Sequence, residues 1–166
     1  MSMKRLELYV HIPFCEEKCK YCDFLSFKAD DGEKKAYVTQ LIEEIKAQGQ
    51  NYSDYLVSSI FIGGGTPTTL NGIWILDIMN AIRENFMVET DAEVSIECNP
   101  GTLSTSKIMH IKKAGVNRIS FGLQSSIEEE LKELGRIHTY KDFLQSYQLA
   151  REYGFTNINI DLISGL

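Results

Sequence analysis

Short apolar runs alternate with helix-like segments along the whole chain, and this alternation limits the fold more than any other feature of the sequence. Five runs read as strands, and apolar residues recur at helical spacing between them. Parallel strands joined by right-handed helical crossovers produce this order. The predicted strands cover residues 6–12, 56–62, 92–98, 117–123 and 156–163, and the predicted helices cover 33–49, 71–86, 104–115, 126–134 and 141–154, with Asn71 and Ser104 or Thr105 as N-caps.

The fold class that follows is α/β, a parallel sheet with outer helices. Right-handed crossovers curl such a sheet toward a barrel, and a complete eight-unit barrel takes about 250 residues. The chain has 166 residues and stops directly after the fifth predicted strand. A partial (β/α) barrel, truncated after that strand, is therefore predicted. The alternative is an open doubly wound domain that is complete as it stands.

Composition restricts the partners and the compartment. A hydrophobic content of 43% and a charged content of 24% are typical of a globular protein. The net charge of -6 argues against binding nucleic acid or anionic membranes. No apolar run is long enough to span a membrane, and the first ten residues are too polar for a secretory signal, so none is expected. Four cysteines without such a signal favour a reducing compartment, so a cytoplasmic location is expected.

Three cysteines lie close together just after the first predicted strand. Cys15, Cys19 and Cys22 have the spacing C-x3-C-x2-C, which places three thiols on one tight loop. Thiolates are soft ligands that suit zinc or an iron–sulfur cluster. A structural zinc needs a fourth ligand, and His11 could provide one, although it lies within the strand. On a four-iron cluster, three thiolates would leave one iron open to a small molecule.

Unusual residues also follow the other predicted strands, where the loops of a parallel sheet collect functional groups. The run GGGTPT at 63–68 indicates a close backbone approach to a ligand, and its spacing is not that of a P-loop. Glu97, Gln124 and Asp161 lie at the ends of later strands, and Arg136 follows in LGRIHT. An arginine and carboxylates facing one pocket can hold a zwitterionic ligand by both ends.

Two further residues are given structural interpretations. Cys98 lies far from the cysteine cluster in sequence, and a small buried side chain is the expected role. His138 is predicted to lie at the surface. Neither residue is assigned to the site.

Six motifs in order carry a resemblance to a known family. They are C-x3-C-x2-C, GGGTPT, ECNPG, NRISFGLQS, LGRIHT and NIDLISGL. Together they resemble the radical S-adenosylmethionine superfamily, its oxygen-independent coproporphyrinogen III oxidase group, and most closely the haem-chaperone, HemW-like branch of that group. The resemblance covers essentially the whole chain. It implies that residues 1–166 are the N-terminal part of a radical SAM core domain, without the rest of the barrel and the accessory domain.

The resemblance also implies the cofactors and their contacts. A [4Fe–4S] cluster would be bound by Cys15, Cys19 and Cys22, and S-adenosylmethionine would chelate its open iron. Reductive cleavage would then give methionine and a 5′-deoxyadenosyl radical. The contacts implied for S-adenosylmethionine are Tyr9 and Tyr21 beside the adenosyl group, Gly64, Gly65 and Thr66 at the methionine end, Glu97 at the amino-acid or ribose part, Gln124, Arg136 and Asp161 around these groups, and Ile163 near the adenine.

The functional expectation is a HemW-like chaperone that binds haem and transfers it to an acceptor protein. The alternative within the group is an oxidase that decarboxylates coproporphyrinogen III to protoporphyrinogen IX. The oxidases carry a further cysteine where this chain has Phe24, and they have a long extension where only 14 residues precede Cys15. Both departures favour the chaperone. Its cluster would serve either catalytic turnover or structure and regulation. The remaining alternative is a zinc-stabilised binding module.

Overall fold

The computed structural model describes residues 3–165, and five parallel strands form its single sheet in the same order as they occur along the chain. A doubly wound sheet reverses its strand order, whereas sequential winding is that of a (β/α) barrel. The predicted α/β architecture is therefore confirmed. The strands are β1 Lys4–Ile12, β2 Tyr55–Gly64, β3 Met87–Cys98, β4 Arg118–Gln124 and β5 Asn157–Leu162, and the helices are α1 Asp31–Gly49, α2 Gly72–Asn85, α3 Thr105–Lys113, α4 Glu128–Glu133 and α5 Tyr140–Glu152.

Local capping chemistry sets where the helices begin. The Asp30 side chain accepts a hydrogen bond from the Glu33 N–H (2.8 Å), and the Glu33 carboxylate accepts one from the Asp30 N–H (2.9 Å). This capping box starts α1 two residues before the predicted start. Asn71 caps α2 and Ser104 caps α3, as predicted.

Strand β3 is longer than the sequence pattern predicts. It begins at Met87 rather than at residue 92, because Met87 and Val88 pair with Leu56 and Val57 of β2. An irregularity in the register follows before Glu93 pairs with Ser59. Polar residues in this segment hide the first half of the strand from a pattern based on apolar alternation.

The core lies between the sheet and the helices. Helices α1, α2 and α3 pack side by side, and their apolar faces cover the first strands of the sheet. Side chains that are fully buried there include Ile60, Ile62, Ile75, Ile78, Ile82, Ile96, Ile108 and Ile119. Strand β5 is more exposed, and Leu162 keeps 67% of its surface accessible. Within residues 3–165, no helix is both long and apolar enough to cross a lipid bilayer.

Candidate functional site

The cysteine loop, defined here as residues 15–26, follows β1 and is closed at its base by a short pairing. Phe14 and Phe27 form an isolated parallel bridge: the Cys15 N–H donates to the Phe27 carbonyl (3.0 Å) and the Phe27 N–H to the Pro13 carbonyl (3.0 Å). The two phenylalanine rings meet edge to face at 5.6 Å. The loop is therefore fixed at its base beside the carboxyl end of β1.

Within the loop, the three cysteines are held by backbone contacts and not by disulfides. All four cysteines of the chain are free, and Cys15, Cys19 and Cys22 are half-buried. The Cys22 N–H donates to the Cys19 carbonyl (3.1 Å), which turns the chain between these two thiols. The Lys20 N–H donates to the Leu134 carbonyl (3.0 Å), so the loop is also bound to the end of α4.

The glycine run that ends β2 packs directly against the base of the cysteine loop. The Gly65 N–H donates to the Ile12 carbonyl (2.8 Å), and the Thr66 N–H donates to the Phe14 carbonyl (2.7 Å). A Cβ on Gly65 would lie 2.7 Å from that same Phe14 oxygen. Gly64 has a φ of +115°, a conformation that strongly favours glycine. At Gly65 the backbone thus approaches the neighbouring loop closely, and its close approach to a ligand stays a prediction.

A cavity of about 480 Å³ lies between the cysteine loop and the carboxyl ends of β2 to β5. This volume is in the range of small-molecule sites. All the predicted site residues except Tyr9 and Ile163 line it, namely Cys15, Cys19, Tyr21, Cys22, Gly64, Gly65, Thr66, Glu97, Gln124, Arg136 and Asp161. Loops that are distant in sequence therefore meet at one site, as expected for a parallel sheet.

Tyr9 and Ile163 lie beside the cavity and not on its wall. The Tyr9 hydroxyl is 3.0 Å from Nδ1 of His11, and its ring stacks on Phe61 at 6.1 Å. His11 Nε2 lies 3.2 Å from the Leu25 carbonyl, so this histidine connects Tyr9 to the cysteine loop. The Ile163 N–H donates to the Gln124 carbonyl (2.9 Å).

Two carboxylates on the cavity wall are fixed by hydrogen-bond donors. Glu97 accepts from the Gly64 N–H (3.0 Å). Burial raises the pKa of Glu97, and the charge of Asp161 adds to this effect, while the Gly64 N–H opposes it. Asp161 accepts from the Ser120 hydroxyl (3.1 Å) and from the Asn159 amide (2.8 Å). These carboxylates face the cavity in set orientations, ready for a cationic or hydroxyl-bearing ligand.

Arg136 connects the cysteine loop to the ends of the strands. Its Nη2 donates to the Gly122 carbonyl (2.6 Å) and to Asn99 Oδ1 (2.8 Å). Its Nη1 lies 3.5 Å from Cys19 Sγ and 3.4 Å from the Tyr21 hydroxyl. Burial raises the pKa of Tyr21 to about 12 although the nearby guanidinium opposes the shift, so the phenol stays protonated at neutral pH.

Several residues on the cavity wall were missed by the sequence analysis. Asn99 donates from Nδ2 to the Thr66 hydroxyl (2.9 Å) while its oxygen accepts from Arg136. It lies in the motif ECNPG, but the sequence pattern does not indicate Asn99 itself as a site residue. Ser120 and Gly122 face the cavity because they alternate along β4 with Gln124, and this period of two was a usable signal.

His138 is buried, so the prediction of a surface position is wrong. Only 5% of its surface is exposed, and Nε2 lies 3.3 Å from the Leu123 carbonyl. The segment that contains it turns back beneath the end of β4, which no local pattern indicates. Burial, together with the positive charge of Arg136, lowers the pKa of His138 to about 4.

Replacing His138 with glutamine is expected to reduce the acid sensitivity of the fold. Histidine has a pKa of about 6.5 in an unfolded chain, against about 4 in the folded chain. Between these values the unfolded chain binds more protons, so stability falls as the pH decreases from 6.5 toward 4. Thermal unfolding of both proteins across this range checks the prediction. Equal slopes of melting temperature against pH would contradict it.

The chemical groups that line the cavity suit a polar ligand that is bound to a metal. Three soft thiols lie on the cysteine loop, fixed carboxylates lie at the strand ends, and the Arg136 guanidinium lies between the two groups. Arg136 Nε is buried and has no acceptor among residues 3–165, a state that costs about 1–3 kcal/mol unless a water or ligand accepts from it. Among residues 3–165, no group of three His, Cys, Asp or Glu side chains is arranged to bind a single metal ion.

Comparison with known proteins identifies the family. The profile of the Radical SAM superfamily matches residues 9–166, and the chain belongs to this superfamily. Membership implies a [4Fe–4S] cluster and S-adenosylmethionine as cofactors. The predicted family resemblance is thereby confirmed.

Two curated relatives and one solved structure show where the chain stands within the superfamily. Heme chaperone HemW of Escherichia coli K12 is 42% identical over 173 residues, a match that covers 100% of this chain and 44% of the relative. The oxygen-independent coproporphyrinogen III oxidase of Salmonella typhimurium is 38% identical, with 97% and 35% covered. The structure of coproporphyrinogen III oxidase HemN from Escherichia coli, a radical SAM enzyme, superposes with a TM-score of 0.90 at 36% identity, with 99% and 38% covered. The chain thus spans less than half the length of these proteins.

Proposed function

We propose that the chain is the cofactor-binding part of a HemW-like haem chaperone, with residues 1–166 forming the N-terminal part of its radical SAM core. The observation that carries the proposal is the 480 Å³ cavity, in which three free thiols lie opposite the polar ends of four strands. A site with thiols on one side and polar groups on the other suits a ligand that is bound to metal at one end and hydrogen-bonded along its length.

In this proposal, Cys15, Cys19 and Cys22 bind the [4Fe–4S] cluster. When bound, the cluster supplies an open iron for the amino and carboxylate groups of S-adenosylmethionine and an electron for its cleavage. The base of the cysteine loop holds the thiols beside Gly65 and Thr66, so that the methionine end of the ligand would lie against this backbone. A backbone without side chains lets a ligand approach closely.

The remaining contacts follow from the charges on the wall. Glu97 and Asp161 would accept hydrogen bonds from the ligand's amino or ribose groups, because their orientations are fixed by Gly64, Ser120 and Asn159. Arg136 would face the ligand's carboxylate, since guanidinium groups recognise carboxylates well. Tyr21 and Gln124 would border the adenosyl group, and Ile163, whose N–H donates to the Gln124 carbonyl, would lie near the adenine. Tyr9 would border the adenosyl group from beside the cavity.

Haem is proposed as the transported ligand. The support is the match to Heme chaperone HemW, together with an apolar surface at the mouth of the cavity. Phe24 lines the cavity and is 64% exposed, and the adjacent Leu25 is 76% exposed. Exposed apolar side chains beside a pocket are typical of sites that bind large apolar ligands or partners. An acceptor protein would then receive the haem.

The experiment that tests the cofactor proposal is an anaerobic absorption spectrum with iron and sulfide analysis, before and after addition of S-adenosylmethionine. A broad band near ~400 nm, about four irons per chain and a spectral change on ligand addition are expected for a cluster with one open iron. A featureless spectrum with one zinc per chain would contradict the proposal and support the zinc-stabilised module instead.

A coproporphyrinogen III oxidase is the second candidate, favoured by the TM-score of 0.90 with HemN. Assays of the longer protein that contains this chain distinguish the two candidate functions. A chaperone is expected to bind haemin with defined stoichiometry and to leave coproporphyrinogen III unchanged when S-adenosylmethionine and a reductant are present. Formation of protoporphyrinogen IX would establish the oxidase.

A further inference from the structure

We propose that Asn99 orients a chain of hydrogen bonds that ends on two cluster thiolates, and that it thereby sets the reduction potential of the cluster. This inference rests on the proposed function, because it assumes that Cys15 and Cys19 are cluster ligands. Asn99 is here a positioning residue, since it acts on the sulfurs through Arg136 and Thr66.

Arg136 fixes the orientation of the Asn99 amide. A guanidinium can only donate hydrogen bonds, so the Asn99 atom 2.8 Å from Arg136 Nη2 must be the amide oxygen. The same Nη2 donates to the Gly122 carbonyl at 2.6 Å, which holds the guanidinium in place at the end of β4. The nitrogen of the amide therefore faces the opposite direction.

That nitrogen lies 2.9 Å from the Thr66 hydroxyl and can only donate to it. The Thr66 oxygen is thus an acceptor toward Asn99, and its one proton is free for another partner. Cys15 Sγ lies 3.6 Å away, a normal separation for a hydrogen bond to sulfur. Thr66 is only 2% exposed, so bulk water does not compete for this proton. The amide of Asn99 in effect directs the Thr66 hydroxyl at the Cys15 sulfur.

The other branch runs directly from the arginine. Arg136 Nη1 lies 3.5 Å from Cys19 Sγ, so the guanidinium that orients Asn99 also donates to a second thiol. Hydrogen bonds to cluster sulfurs stabilise the additional negative charge of the reduced cluster, which raises the reduction potential. Asn99 holds both branches together because it bonds to Arg136 on one side and to Thr66 on the other.

Three variants test this inference in the longer protein that contains the chain, with S-adenosylmethionine left out. Asn99→Ala and Thr66→Val each remove a donor on the path to Cys15, and the second is nearly isosteric. Thr68→Val is the matched control, because Thr68 is also buried but its hydroxyl lies 2.6 Å from the Thr102 hydroxyl and bonds to Cys98, which is not one of the three loop thiols. The readouts are iron per chain and the midpoint potential of one-electron reduction, followed by electron paramagnetic resonance.

We expect lower midpoint potentials for Asn99→Ala and Thr66→Val at wild-type iron content, and no shift for Thr68→Val. In the double variant the two shifts should not add, because both changes interrupt the same path to Cys15. Wild-type potentials in both single variants, or loss of iron from both in a folded protein, would overturn the inference. Failure of the proposed function would instead appear as a wild-type protein that binds no four-iron cluster.

Discussion

Replacing Cys19 with alanine is expected to lower the iron content from about four per chain to nearly none and to abolish binding of S-adenosylmethionine, because a cluster held by two thiolates is lost. Cys19 is half-buried on the cavity wall, so its removal should leave the sheet intact. Anaerobic reconstitution, iron analysis and equilibrium binding of the ligand measure the effect, with circular dichroism as the check on folding.

The matched control for this variant is Cys98→Ala. Cys98 is the one cysteine outside the loop, and it is buried as predicted, with 2% of its surface exposed. Burial raises the pKa of its thiol to about 11, and its sulfur lies 3.4 Å from the Asn99 carbonyl and 3.7 Å from the Thr102 hydroxyl. The control should keep the full iron content. Equal iron loss in both variants, or full iron in Cys19→Ala, would contradict the assignment of the cluster ligands.

Replacing Gly65 with alanine is expected to lower the free energy of unfolding of the metal-free chain by about 1–3 kcal/mol, the usual effect of overpacking. The added Cβ would lie 2.7 Å from the Phe14 carbonyl oxygen and 2.9 Å from the Phe14 nitrogen. Both are backbone atoms and cannot rotate away. The glycine run must therefore separate from the base of the cysteine loop, and the iron content after reconstitution should fall as well.

Urea unfolding and iron analysis of Gly65→Ala measure both effects. Gly32→Ala is the matched control, because Gly32 is exposed in the first turn of α1 and a Cβ there would meet only the end of the Asp30 side chain at 3.1 Å. Its stability should change by less than about 1 kcal/mol, the helix-propensity difference between glycine and alanine. If Gly65→Ala is as stable as the control, the tight contact between the two loops is not important for the fold.

The order of the elements could be predicted from the sequence because it depends on local patterns. Asn71 and Ser104 cap their helices as expected, and Cys98 is buried as expected. The meeting of Glu97, Arg136 and Asp161 at one cavity also followed, since the carboxyl ends of parallel strands share one edge.

The errors arose where long-range packing decides the outcome. His138 is polar and follows a loop, yet the chain returns beneath β4 and buries it against the Leu123 carbonyl. Asn99 was overlooked because its role depends on two partners, Thr66 and Arg136, that lie 33 and 37 residues away. The early start of β3 depends on pairing with β2 across an irregular register. Such contacts are properties of the assembled sheet and leave little trace in local spacing.

The paired base of the cysteine loop also affects how the protein responds to damage. The Cys15 N–H donates to the Phe27 carbonyl and the Phe27 N–H to the Pro13 carbonyl, so the loop is closed by a pairing of its own in addition to the strand pairs of the sheet. Segments of this kind can open as independent units while the rest of the protein stays folded. Destruction of the cluster by oxygen would then unfold a dozen residues rather than the sheet, and amide protons of the strands would remain slow to exchange. The metal-free chain would keep its folded sheet and could bind a new cluster. The protein would then be repaired, and no new chain would have to be synthesised.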